Sequence, residues 1–220
     1  MYGIDVARFQ GNIDWGKVRK DGWEFAIQKC TEAVGYKDPT YQKNKDGARL
    51  AGVLFGSYHF GRAGDPVKEA NWFINSVGDI RPGELLVLDY EIYTLKDPAS
   101  WCLEFAKQVE RRVGFKPLLY TYHGILNAYN WKKCSDYNMG LWAARYGLQE
   151  QKPNPKFKPS TGSWPFWAIW QYCSKGRVNG IVGNVDLNYC EIDRKTLEKY
   201  GKPGEVEIPC SKSCKKHCGI

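Results

Sequence analysis

Residues 53–90 decide the fold: VLFGSYHF (Val53–Phe60), a helix-spaced run from Pro66 to Val77, then LLVLDY (Leu85–Tyr90) behind the breaker Pro82–Gly83. Short apolar runs on either side of one helix form a βαβ unit, and such units build parallel sheets. The same alternation extends outward. Upstream lie the apolar run Met1–Val6, a helical start at Ile13–Lys20 (IDWGKVRK), the strand-like Phe25–Lys29 (FAIQK), and Pro39–Ala51 with Tyr41, Ala48 and Ala51 at helical spacing. Downstream, Ala99–Val113 is the clearest amphipathic helix, with Leu103, Ala106, Val109 and Val113 on one stripe, and Pro117–Thr121 is the fifth strand. Beyond residue 140 the rhythm changes. Leu141–Ala144 (LWAA), Ala168–Tyr172 (AIWQY) and Val185–Leu187 (VDL) are strand candidates separated by Gly/Pro/Lys-rich loops. About eight strands, with helices only in the first five units, predict an α/β chain closing as an incomplete barrel. Gly201–Pro203 reads as a boundary between a body (1–200) and a short basic, cysteine-rich tail (201–220).

A 220-residue chain can bury one good core. Nine Trp, fourteen Tyr and nine Phe are expected to serve mostly as an aromatic-rich core, and in such number they also suit a groove that stacks against flat ligand faces. The net charge of +8 favours a polyanionic surrounding, but it is spread along the chain. No basic helical face, helix-turn-helix, RRM or zinc-finger pattern accompanies it, so nucleic acid is not expected as a partner. No stretch approaches the roughly 18 apolar residues of a membrane span. The start, MYGIDVARFQGNIDW, has no basic, apolar and cleavable leader pattern. A chain acting outside the cytoplasm would then have lost a signal, or be released by another route. Cys30, Cys102, Cys134, Cys173 and Cys190 read as buried free thiols. In the tail, Cys210, Cys214, His217 and Cys218 are too crowded for the usual zinc spacing, and disulfides or free thiols fit them better. Neither metal nor cofactor is expected, and the chain is expected to act as a monomer.

Catalytic groups of barrel enzymes sit at the C-terminal ends of strands. Four acids read as occupying such places: Asp5, Asp89, Glu91 and Asp186. Each interrupts an apolar run, where a carboxylate is costly unless partnered or used. Asp89 and Glu91, two residues apart on one strand, share a face with Cα atoms roughly 6.6 Å apart. Neighbouring carboxyls push each other's protonation apart, which supplies the acid and the anion of glycosidic hydrolysis. A lone D-x-E is weak evidence, since many strand ends carry solvated acids. The first and last strands of a closed barrel are neighbours, however, so Asp5 and Asp186 would join the pair at one mouth.

Lesser candidates have plainer readings. His59 alternates with Tyr58 and should face the helix layer as a structural histidine. His123 is expected in a loop after a strand. Lys29 and Glu32, near a strand end, could pair with each other or with the acid cluster, and a structural ion pair is the default.

Taken together, GIDVARFQGNIDW, FAIQKCTEAVGYKD, GSYHFGR, LLVLDYE, YT, LWAARY, WQY and NVDLN resemble, in order from Tyr2 to about Tyr200, the Chalaropsis-type lysozymes, glycoside hydrolase family 25, which includes many phage endolysins. The resemblance implies a flattened TIM-like barrel of five β/α units and three further strands. It implies a muramidase domain over 1–200, cutting the β-1,4 bond between N-acetylmuramic acid and N-acetylglucosamine in bacterial peptidoglycan. On the matching positions it makes Glu91 the general acid and Asp89 the support for the sugar's N-acetyl group or the cationic intermediate. Asp5 and Asp186 complete the cluster. Tyr58, Tyr120, Trp142 and Gln171 line the sugar groove. Two departures stand out: Thr31–Glu32–Ala33 replaces the frequent T-E-G, and Cys30 sits where a small or β-branched residue is usual. Two alternatives are a carbohydrate-binding protein on a dead hydrolase fold, against which the four acids speak, and a chitinase-like barrel, whose D-x-x-D-x-D-x-E pattern is missing.

Overall fold

The computed structural model describes residues 1–204. The tail cysteines and His217 lie outside the described residues.

Five β/α units open the chain. They are β1 (Tyr2–Val6) with α1 (Trp15–Lys20), β2 (Phe25–Glu32) with a short hairpin strand β3 (Tyr36–Lys37) and α2 (Tyr41–Leu50), and β4 (Leu54–Phe60) with α3 (Pro66–Val77). Next come β5 (Leu85–Asp89) with α4 (Pro98–Val113), and β6 (Leu118–Tyr122) with α5 (His123–Ala128) and α6 (Lys132–Asp136). Three strands follow with no intervening α-helix: β7 (Leu141–Ala144), β8 (Ile169–Gly176) and β9 (Val185–Tyr189), and then α7 (Arg194–Leu197). The two longest helices begin on the sequence signal Asp-Pro. Asp65 accepts from the amides of Val67 and Lys68, and Asp97 from that of Ser100. Proline at the first helical position removes a donor that would have no partner.

The strands run in the order β1-β9-β8-β7-β6-β5-β4-β2, and parallel pairing of β1 with β2 closes the barrel. β3 hangs antiparallel on the end of β2, and its two residues are too few for any periodic signal. The last strand differs from expectation in direction. β9 runs antiparallel to both β8 and β1. Asp186, expected at a strand's C-terminal end, is the second residue of β9, and reversal of that strand is what brings it to the mouth.

Alternation along each strand makes two cores. Phe25, Ile27, Leu54, Leu85, Val87 and Leu118 fill the barrel, with Tyr200 and Leu197 plugging its floor. Phe55, Leu86, Leu88 and Leu119 point outward under the helices. Each such side chain contributes about 1.5–3 kcal/mol. Gly3 permits the barrel wall to close, because a Cβ there would meet the Phe25 ring at 2.3 Å. The α4 stripe is wider than its spacing predicts. Trp101, Cys102 and Phe105 are buried with Ala106 and Val109, while Leu103 and Val113 are half-buried, since the helix packs on α3 as well as on the barrel. The floor continues past Tyr200: the Gly83 amide donates to the Gly201 carbonyl at 2.9 Å. Cys30, Cys102, Cys134, Cys173 and Cys190 are buried and free. Among the described residues no helix is long and apolar enough to cross a membrane.

Candidate active site

The face of β5 that carries Leu85 and Val87 into the barrel continues through Asp89 to Glu91, just past the strand's end. The outward face carries Leu86, Leu88 and Tyr90. Neighbouring strands deliver Tyr58, Tyr120, Trp142 and Gln171 to the same mouth. Asp5 and Asp186 face each other as direct cross-strand partners. All eight line one open cleft, together with Phe9, Gln10, Lys29 and Phe60.

The hydrogen bonds divide these residues by task. Gln171 donates through Nε2 to Asp5 Oδ2 at 2.8 Å and to Asp186 at 3.4 Å. Its Oε1 accepts from the hydroxyls of Tyr120 and Tyr146 at 2.8 and 2.6 Å. Asn188 donates to the same Asp5 oxygen at 2.7 Å and accepts from the Trp142 indole at 2.9 Å. Asp5 is therefore braced, and Tyr120 and Trp142 have their polar atoms occupied within the protein. These two rings present walls to the cleft. Asn188 and Tyr146 were not singled out by sequence. The first was legible, because it lies two residues from Asp186 on the same face of a strand. The second sits in an irregular loop that carries no periodic signal.

Asp89 is the contrast. It is buried, and its Oδ1 has no hydrogen-bond partner among the described residues. Burial first, and the Glu91 charge second, hold its carboxyl well above the ordinary range. Burial raises Glu91 too, while its contact with Asp89 pulls it back. Two desolvated carboxyls that resist a double negative charge share a proton. Asp186 is pushed up to about 8 by burial and then by the Asp5 charge. Asp5 rises to about 6 through burial, against the bonds from Asn188 and Gln171. Lys29 is the cation beside the cluster. Its Nζ pairs with Glu32 at 2.5 Å and lies 4.9 Å from the centre of the Phe60 ring.

The remaining candidates fall outside the cleft. His59 faces the helix layer, stacked against Phe105, bonded to Glu69 at 2.9 Å and to Thr31 at 2.7 Å. His123 is not in a loop. It opens α5, where its ring accepts weakly from the Ser160 amide at 3.5 Å. Among the described residues no group of three or more His, Cys, Asp or Glu side chains is placed to hold a metal ion.

A protonated carboxyl beside an anion, in an open groove walled by aromatic rings, meets what glycosidic cleavage demands, and the chain is a glycoside hydrolase. Residues 4–181 match the profile of the glycosyl hydrolases family 25. Lysozyme M1 of Streptomyces globisporus is 32% identical over 209 residues, spanning 86% of this chain and 67% of that protein. The N,O-diacetylmuramidase of a Chalaropsis species is 28% identical over 84% of this chain and 96% of its own. The crystal structure of the Streptomyces coelicolor bacterial lysozyme superposes with a TM-score of 0.79 at 28% identity, covering 91% of this chain and 96% of that one. The chain belongs to glycosyl hydrolase family 25. Its activity is that of a peptidoglycan-hydrolysing muramidase, and nothing favours the inactive binder.

Proposed function

We propose that Glu91 is the general acid and Asp89 the orienting anion in cleavage of the β-1,4 bond that follows N-acetylmuramic acid, with retention of configuration through the substrate's own acetamido group. The observation that carries this is the desolvated Asp89–Glu91 pair on one barrel face. In the free enzyme the deeper Asp89 is the better place for the shared proton. A sugar amide N–H against Asp89, or positive charge developing there, favours its anion and leaves the proton on Glu91. Glu91 passes that proton to the glycosidic oxygen as its bond to C1 breaks. The acetamido carbonyl oxygen bonds to C1, giving a cyclic oxazolinium whose positive charge lies beside Asp89. Water then adds at C1, reopens the ring and loses its proton to Glu91. Asp5 and Asp186, braced through Gln171, would hold the opposite side of the groove, with Tyr58, Tyr120 and Trp142 as its walls. The place of action would be the cell wall, reached at phage release or after export, with the enzyme working as a monomer.

Two measurements test the reading. Borohydride reduction of digested peptidoglycan should yield muramicitol; glucosaminitol would overturn the bond assignment. On a soluble oligosaccharide, NMR should show the β-anomer first; an initial α-product would mean inversion and remove the acetamido route.

A further inference from the structure

A second cleft opens beside the first, between the turn Arg8–Gln10 and the β2–β3 hairpin, and the two share Phe9 and Lys29. It is walled by apolar side chains held in solvent: Phe9 is 76% exposed and Val34 57%. The Arg8 guanidinium lies 5.1 Å from the centre of the Phe9 ring and 5.9 Å from that of Tyr36.

The acids near Arg8 are already engaged. Asp38 accepts the Arg8 backbone amide at 2.9 Å through one oxygen, and the Thr40 amide and hydroxyl at 2.9 and 2.6 Å through the other. Glu32 is held by Lys29 and Arg62, each at 2.5 Å. Among the described residues the guanidinium of Arg8 has no carboxylate within ion-pair distance. Held over rings, a guanidinium keeps its fork of donors free and loses little rotamer freedom on pairing.

We propose that this second cleft binds the acidic peptide branch of peptidoglycan, with Arg8 pairing a peptide carboxylate and Phe9 and Val34 covering its small aliphatic side chains. The proposal rests on the peptidoglycan reading above. Muramic acid carries, on its lactyl ether, a short peptide of small residues and free carboxylates. A glycan seated across Asp89 and Glu91 must send that branch out beside the reacting sugar. The cleft joined to the acid cluster through Phe9 and Lys29 offers the complementary chemistry, a cation framed by apolar surface.

The test compares intact peptidoglycan with the same glycan after an amidase has removed its peptides. Arg8→Gln should raise KM on the intact substrate by about tenfold, the usual worth of one charge-assisted contact. It should leave kcat, and KM on the stripped glycan, unchanged. Val34→Glu, which sets a carboxylate against the peptide's own, should act in the same direction, and Arg8→Lys should recover part of the loss. Equal shifts on both substrates would assign the cleft to sugar and overturn the proposal, as would no shift on either. A wild-type enzyme that cuts neither substrate would instead sink the muramidase reading.

Discussion

Two buried ionisable groups of residues sit on opposite faces of adjoining strands, and they are built in opposite ways. On the outer face, Glu69 accepts from His59 and from the amides of Arg62 and Gly64, at 2.9, 3.1 and 2.8 Å. Burial works against its anion, yet those donors hold its carboxyl below the ordinary value. Burial keeps His59 neutral, against the pull of Glu69. With Nε2–H given to Glu69, Nδ1 accepts from the Thr31 hydroxyl, and both ring nitrogens are matched. On the inner face, Asp89 is also buried but has an oxygen with no partner among the described residues and a second carboxyl beside it. A satisfied buried network stabilises the fold; an unsatisfied one stores an unmet demand that a substrate can meet. The same strands therefore carry a rivet on one side and a reactive site on the other.

Substitutions should separate the two. The largest effect is expected at Glu91. Glu91→Gln removes the proton donor and should cut activity by about 10²–10⁴-fold. Its unfolding midpoint should match or exceed wild type, because one of two clashing carboxyls is gone. A variant that kept more than about a tenth of the rate would exclude Glu91 from the chemistry. Glu69→Ala should do the reverse. Three donors lose their acceptor, and urea unfolding should show a loss of about 3 kcal/mol or more. Turnover per folded molecule should change little; a loss of activity with unchanged stability would refute the division.

A smaller effect concerns pH. Asp5 and Asp186 have folded values of about 6 and about 8, above those of an unfolded carboxyl. Between about pH 4 and 8 the folded chain thus holds more protons than the unfolded one, so this stability is present in acid and lost as pH rises. Asp186→Asn should flatten that fall by about 1–2 kcal/mol across the window. An unaltered slope would show that the inner acids ionise without strain. Activity should decline on the same alkaline side, as the shared proton of Asp89 and Glu91 leaves. The smallest change lies where the two regions meet. Thr31 serves the outer network and Glu32 the cleft, and the next residue, Ala33, has a positive φ of 45°. Ala33→Gly should stabilise the chain by about 1 kcal/mol, since glycine occupies that region without strain. A loss of stability would mean that the Ala33 methyl makes compensating contacts.

Much of this was legible in the chain. Strands through residue 122 show as short apolar runs and the longer helices as a 3.6-residue spacing, and the alternation of Tyr58 with His59 places one in the cleft and the other in the rivet. The i, i+2 rule unites Asp89 with Glu91, and barrel closure brings in Asp5 and Asp186. The shortest features escaped: the two-residue β3, and α5 and α6, whose six and five residues span less than two helical turns and show no repeated apolar spacing. So did strand direction, because a short apolar run is the same read either way; the pairings with β1 and β8 show β9 reversed. The frequent glycine after the second strand had a physical reason that its replacement by Ala33 makes visible, a left-handed turn.

Closure by β9 also sets a timetable for synthesis. Asp5 is synthesised well before its partners Gln171, Asp186 and Asn188, which follow 166, 181 and 183 residues later. Until they arrive, β1 can pair with β2 but keeps an open edge. Contacts of such sequence separation form late in folding. A nascent or truncated chain ending short of Gln171 has neither side chain that braces Asp5, so the acid cluster of this wall-cutting barrel is completed only as its last strands emerge.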